Sequence, residues 1–220
     1  MNTIATELDH IVVAARTLEE GRVWAREMLG VEAVCGGKHD GLATHNTLLK
    51  LDGKRYLEII SIDPVADAPN FPRWFGLDTA EVREHIAHGP RGVAWVARCE
   101  GAPDAIEQLA TTLDYSANVV RPASRADFRW RFAFTPDGMR VAGGTLPYLI
   151  QWDCEVHPCD RLPESGVSLT ALMLGAPEPE HLAKMLAGLH FADARVQVGQ
   201  SAATNLVAML RTPLGSVVLD

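Results

Sequence analysis

Residues 8–15 read LDHIVVAA and residues 55–62 read RYLEIISI, and how these two runs are taken decides the fold. With a side-chain period of two, Leu8, His10 and Val12 share one face of a strand, and Asp9, Ile11 and Val13 the other. The second run sets Tyr56, Glu58 and Ile60 on one face and Leu57, Ile59 and Ser61 opposite. An ionised carboxylate in the middle of a buried strand must be paired, hydrogen-bonded or bound to a metal, because desolvation alone drives it neutral. One metal ion would satisfy both His10 and Glu58, and imidazole with carboxylate suits Fe, Mn, Ni or Zn. The bland alternative for His10 is a hydrogen-bonded core histidine.

The residues between the two runs supply a helix and two more strands. Thr17 is placed to cap TLEEGRVWAREMLG, with Glu20 as capping-box partner, Gly30 as the stop, and Leu18, Val23, Trp24 and Met28 as the packing face. Strands follow around Val34 and over Thr44 to Leu51, and Asp52-Gly53 marks a hairpin into the Glu58 strand. The unit is βαβββ. It restarts with RGVAWVARC, APDAIEQLATTL, VVRPAS, FRWRFAFTP and LPYLIQW, and a third time with GVSLTALML, EPEHLAKMLAGL, ARVQVG, NLVAMLRT and SVVLD. The expected organisation is a first module over 1–63, a connector with a short helix over 64–90, a second module over 91–158 and a third over 159–220.

Composition narrows the partners. The balance of 20 basic against 28 acidic residues, with no dense basic stripe, argues against nucleic acid. No apolar run approaches the roughly 20 residues of a membrane span, and no basic, apolar leader opens the chain, so a cytoplasmic protein is expected. Cys35, Cys99, Cys154 and Cys159 are dispersed, which indicates neither a zinc ribbon nor a disulfide framework.

Repeated βαβββ modules opening with LDHIVV and closing the first copy with YLEII resemble the vicinal oxygen chelate superfamily. GGKHDGLATHNTLLKL before YLEII, and WRFAF before LPYLIQWD and HP, are similar to its glyoxalase-like domain proteins, over about Leu8 to Pro158. The resemblance implies an α+β fold of the glyoxalase/dihydroxybiphenyl dioxygenase kind, with paired modules whose mixed sheets curve into a cleft. It further implies a divalent metal held from the first and last strand of each module. Carried over by residue, His10 and Glu58 take the ligand positions of module one. In module two the resemblance sets Gln151 of LIQW at the position of Glu58, while Ala94 or Trp95 stands where a histidine or glutamine is usual. Module three, with Thr170 or Ala171 and Leu219 at the matching positions, is ligand-free.

Other residues bear on the cleft. His39 is the candidate general base, and Asn46 and His45 lie close to it in sequence as hydrogen-bonding groups. Solvent-exposed loop histidines are the alternative for His39 and His45. His157 lies just beyond a ligand strand. Trp95 and Trp152 are either core aromatics or one wall of an apolar pocket. Arg129, Trp130 and Arg131 alternate along one strand, either as ordinary patterning or with Arg129 clamping an anionic substrate. No Walker loop, GxGxxG or Ser/His/Asp elbow follows a strand, and Gly36-Gly37 reads as an isolated turn.

Two functional readings follow. One is a metal-dependent lyase, isomerase or dioxygenase acting on a small oxygen-rich molecule, with Glu58 and His10 as ligands and Gln151 as a ligand or donor. The other is a metal-free protein that binds or sequesters a small molecule. The odd third module suggests a homodimer, its sheet pairing across a two-fold axis.

Overall fold

The protein is described here by a computed structural model covering residues 4–39, 41–112 and 115–220. The first run forms β1 (Ala5–Ala14) and the second β4 (Tyr56–Ile62), with α1 (Leu18–Trp24), β2 (Val34–His39) and β3 (Thr44–Lys50) between them. A short helix α2 (Ala80–His85) leads to the second half, which comprises β5 (Arg91–Glu100), α3 (Ala105–Ala110), β6 (Val119–Arg125), β7 (Phe128–Phe134) and β8 (Tyr148–Trp152). All eight strands join one mixed sheet in the order β2-β3-β4-β1-β5-β8-β7-β6. In each half the first and last strands pair in parallel, β1 with β4 and β5 with β8, and the halves meet along the antiparallel β1–β5 seam. This is the curved α+β architecture that the resemblance implies.

Helices cover one face of the sheet and leave the other to form a hollow. Thr17 caps α1 by accepting a hydrogen bond from Glu20 N at 3.1 Å, and the helix continues as a π-helical turn, Ala25–Leu29, to Gly30 at φ 71°. The side it buries is Gly21, Ala25 and Leu29, at the i, i+4, i+8 spacing of one helix stripe. Leu18, Val23 and Trp24 are half-buried and Met28 is exposed. The expected stripe is therefore rotated, because a small-residue face lets the helix approach β4. Gly21 shows how closely: a Cβ there would lie 2.3 Å from Ile59 Cγ2.

The third stretch forms β9 (Ser168–Ala176), α4 (Pro179–Gly188), β10 (Val196–Gln200), β11 (Asn205–Thr212) and β12 (Gly215–Leu219). It repeats the element order but not the wiring. Its sheet runs β10-β9-β11-β12, so β9 pairs in parallel with the second strand of its unit, whereas β1 and β5 pair with the last strand of theirs. This sheet does not lack a partner within the chain. Phe191 packs edge-on against Trp95 at 5.0 Å, Thr6 Oγ1 donates to Leu189 O at 3.0 Å, and Gly92 N donates to Asp220 O at 3.2 Å. Most buried apolar side chains of all three stretches share one core, and Leu48, Tyr56 and Cys159 form a small separate cluster. Among the described residues no helix is long and apolar enough to cross a membrane.

The Gly21 contact predicts an inverted helix-propensity effect. Alanine normally stabilises a helix interior over glycine by about 1 kcal/mol, but Gly21→Ala should destabilise by about 1–3 kcal/mol through overpacking against Ile59. Urea unfolding measures the sign, and a more stable variant would contradict the packing described.

Candidate functional site

The hollow is organised from β1 outward. In the β1–β5 ladder Leu8 pairs Ala97 and His10 pairs Val96, so Asp9 is an extra residue at a register shift. A bulge of this kind re-aims side chains out of strict alternation. Asp9 thus does not face away from His10, as the period of two implies; its Oδ1 accepts from His10 Nδ1 at 2.7 Å. Its Oδ2 accepts from Trp152 Nε1 and from His157 Nε2, both at 3.1 Å. His157 Nδ1 accepts from Cys159 N at 3.2 Å, which makes Nε2 its protonated nitrogen. Asp9 is 0% exposed, and burial raises its pKa, yet the hydrogen bonds from the two histidines outweigh this and hold it below the ordinary carboxylate range.

With Nδ1 committed to Asp9, His10 presents Nε2 to Glu58, whose Oε2 lies 3.4 Å away. Glu58 Oε1 accepts from Asn46 Nδ2 at 2.5 Å. Burial opposes charge on both partners. The hydrogen bonds and charges of Asp9 and Glu58 nevertheless raise His10 from 6.5 to about 9, and His10 in turn lowers Glu58. At neutral pH the site holds an imidazolium between two carboxylates. Tyr56 stacks on the His10 ring at 4.5 Å.

His39, from the end of β2, closes the group. Its Nδ1 and Thr44 Oγ1 are 2.9 Å apart, its Nε2 is 3.3 Å from Asn46 Nδ2 and 3.8 Å from Glu58 Oε1, and burial lowers its pKa to about 4. It is neutral, and both ring nitrogens are engaged, Nδ1 with Thr44 and Nε2 with Asn46. Arg125 reaches across from β6 and donates to Asn46 Oδ1 at 3.3 Å, bringing the two edges of the sheet together over the hollow. Gly36 and Gly37 permit this approach: a Cβ on Gly36 would lie 2.0 Å from Asn46 Oδ1, and one on Gly37 2.7 Å from Arg125 Cδ. The two glycines sit inside β2 rather than in a turn.

The second half lines the same hollow with hydrocarbon. Its pairs Val96–Tyr148 and Arg98–Ile150 match His10–Tyr56 and Val12–Glu58, so Val96 stands for His10 and Ile150 for Glu58. Gln151 is one residue out of phase and lies on the opposite face. Its Oε1 accepts from Ile106 N at 2.9 Å and its Nε2 donates to Ala102 O and Pro103 O. Trp95 also lies behind the sheet, donating to Thr145 O at 3.1 Å against Phe191. Arg129 is exposed, on the side of β7 away from Trp130. His45 alternates with Asn46 and does not line the hollow. Of the residues expected at the site, His10, Glu58, His39, Asn46 and Trp152 come together. Trp74, Phe75, Trp130, Phe132 and Arg125 join them around the cleft.

This donor set does not fit a resident divalent ion of the kind the resemblance implies. His10 Nε2 and Glu58 face each other, but His39 Nε2 is beside the Asn46 amide, Gln151 is turned away, and the second-half positions are Val96 and Ile150. Among the described residues no group of three or more His, Cys, Asp or Glu is arranged to hold a metal.

The Asp9–His10 pair makes stability pH-dependent. His10 has its folded pKa raised to about 9, so its contribution is complete below about pH 6.5 and is lost as pH rises through about 9. Asp9→Asn should cost about 3 kcal/mol at neutral pH, as expected for breaking a buried pair, and should flatten the alkaline loss. Denaturant unfolding between pH 6 and 10 tests both, and an alkaline decline equally steep in the variant would refute the assignment.

Comparison with known proteins agrees with the architecture. No curated protein matches the sequence. The structure is similar to that of a hypothetical protein from Staphylococcus aureus, at TM-score 0.58 and 12% identity over 91% of this chain and 88% of that one. It is also similar to a mutant of 4-hydroxymandelate synthase from Streptomyces coelicolor, at TM-score 0.51 and 14% identity over 98% of this chain and 63% of that one. Methylmalonyl-CoA epimerase from Mycobacterium tuberculosis aligns at TM-score 0.42 and 18% identity, over 66% of this chain and 85% of that one. A family model described as glyoxalase-like domain matches residues 8–190, and the chain belongs to that family.

Proposed function

We propose that the cleft binds a small oxygen-bearing molecule and moves a proton on it without a resident metal, as a lyase or isomerase does. The observation that carries this reading is the Asp9-oriented His10 facing Glu58 at 3.4 Å on one wall of an otherwise aromatic cleft.

Glu58 and His10 are coupled through one proton, so acid and base strength belong to the pair rather than to either group. A carbonyl oxygen placed at His10 Nε2 receives the hydrogen bond of the imidazolium. The adjacent C–H then lies toward Glu58. Transfer of that proton to the Glu58 carboxylate, with the carbonyl oxygen taking the His10 proton, yields an enol, and return of a proton to carbon completes an isomerisation or exchange. Each part has a support: Asp9 keeps His10 in the right tautomer and orientation, Asn46 steadies the second Glu58 oxygen, and the aromatic wall excludes water. His39, neutral and engaged with Asn46, holds the Glu58 side of this arrangement in place. In this reading Glu58, rather than His39, takes the proton.

Two measurements test the reading. Elemental analysis of untagged protein should find far less than one divalent ion per chain; a full equivalent removed by both His10→Ala and Glu58→Ala would restore the metal-dependent alternative. Deuterium wash-in from D2O into the α-position of small α-hydroxy carbonyl compounds, followed by NMR, should be catalysed by the natural protein. Glu58→Gln should slow it by about 100-fold or more. Absence of exchange across such a panel, with ligands still bound, would favour the sequestering function instead.

A further inference from the structure

The stretch from residue 64 to 90, read from the sequence as a connector, delivers a tryptophan to the cleft. Trp74 opens a tight turn in which Phe75 has φ 59° and Gly76 φ 69°. A bulky side chain in the left-handed region is unfavourable and persists only where its surroundings enforce it. Here Phe75 N donates to the Tyr148 hydroxyl at 3.2 Å and Gly76 N to Gly138 O at 2.9 Å. Trp74 is thereby set edge-on to His39 at 4.7 Å and parallel to Phe134 at 5.6 Å, lining the cleft. It is 4% exposed, and its Nε1–H has no acceptor among the described residues. Trp95 and Trp152, by contrast, both have theirs satisfied. A buried N–H without a partner is costly enough to be rare.

A second unmatched donor lines the same cleft. Arg125 is half-buried in the cleft, where its hydrogen bond is to the neutral Asn46 amide, and it pairs with no carboxylate among the described residues. Arg121, four residues along the same face of β6, lies over the Phe71 ring at 4.2 Å and likewise has no carboxylate partner among the described residues. Elsewhere buried or half-buried arginines such as Arg98, Arg131 and Arg140 are matched to acids. The rings of Trp130, Phe132 and Trp152 line the same cleft.

We infer that the Trp74 Nε1–H and the Arg125 guanidinium form an anion subsite, and that the molecule bound is a small monocarboxylate carried on a flat apolar body. The inference rests on the reading of the cleft as a small-molecule site and names the class of that molecule. A carboxylate supplies acceptors for the indole N–H and for the guanidinium at once. The rings take the apolar body by stacking. Glu58, ionised in the same cleft, disfavours a compact dianion such as phosphate.

The test compares benzoate and phenylacetate with their neutral isosteres benzamide and phenylacetamide, titrated into the full chain and followed by tryptophan fluorescence and by the indole N–H resonance of Trp74. The acids should bind at least about tenfold more tightly than the amides. The resonance should move downfield with acids only, a readout that needs no variant. Trp74→Phe and Arg125→Met should each remove most of the preference for acid over amide, and Arg125→Lys should keep part of it. Equal binding of acids and amides, or a preference that survives both substitutions, would overturn the subsite while leaving the cleft a binding site. Failure of all four probes to bind folded protein would overturn the cleft reading and the subsite with it.

Discussion

The arrangement depends on a buried anion. Asp9 is wholly removed from water, and an isolated carboxylate in such a place would be neutral or absent. It stays charged because donors reach it from three separate places: His10 beside it on β1, Trp152 at the end of the second half, and His157 beyond that. Satisfying one carboxylate therefore draws together segments more than 140 positions apart in the chain. The same hydrogen bonds decide which nitrogen His10 offers to the cleft and raise its basicity. Structure and chemistry share a cause.

Around this anion the two halves of the sheet have become unequal. They have corresponding pairings, β1 with β4 and β5 with β8, yet one half carries His10 and Glu58 where the other carries Val96 and Ile150. The result is a cleft with charge on one side and rings on the other. Such a surface suits a ligand with a polar reacting end and an apolar body. Curvature completes it, since Arg125 on the last strand of the sheet meets Asn46 near the first, across glycines that leave room for both.

The back of the sheet explains why some expected site residues are elsewhere. Gln151 is used to terminate the backbone at the start of α3, satisfying Ile106 N and two carbonyls. Trp95 packs against Phe191 from the third stretch, so the third sheet has its partner within the same chain. Both residues are one position out of phase with the cleft face. In a strand that difference transfers a side chain to the other surface.

Alternation of apolar residues, the caps and the turn glycines made the βαβββ units legible in the sequence, because these signals are local and reflect burial of one face. His10 and Glu58 were legible too, since ionisable groups inside apolar strands demand a partner. Three features were not. The register shift at Asp9 depends on how β1 fits β5, the orientation of Gln151 depends on strand phase, and the route of Trp74 into the cleft depends on a left-handed turn held by Tyr148 and Gly138. Local patterning is enough to specify the elements and the pair of polar residues they bury. Which side chains meet that pair is settled only when the strands pack, because contacts between distant segments are set by register and curvature, and neither leaves a periodic trace along the chain.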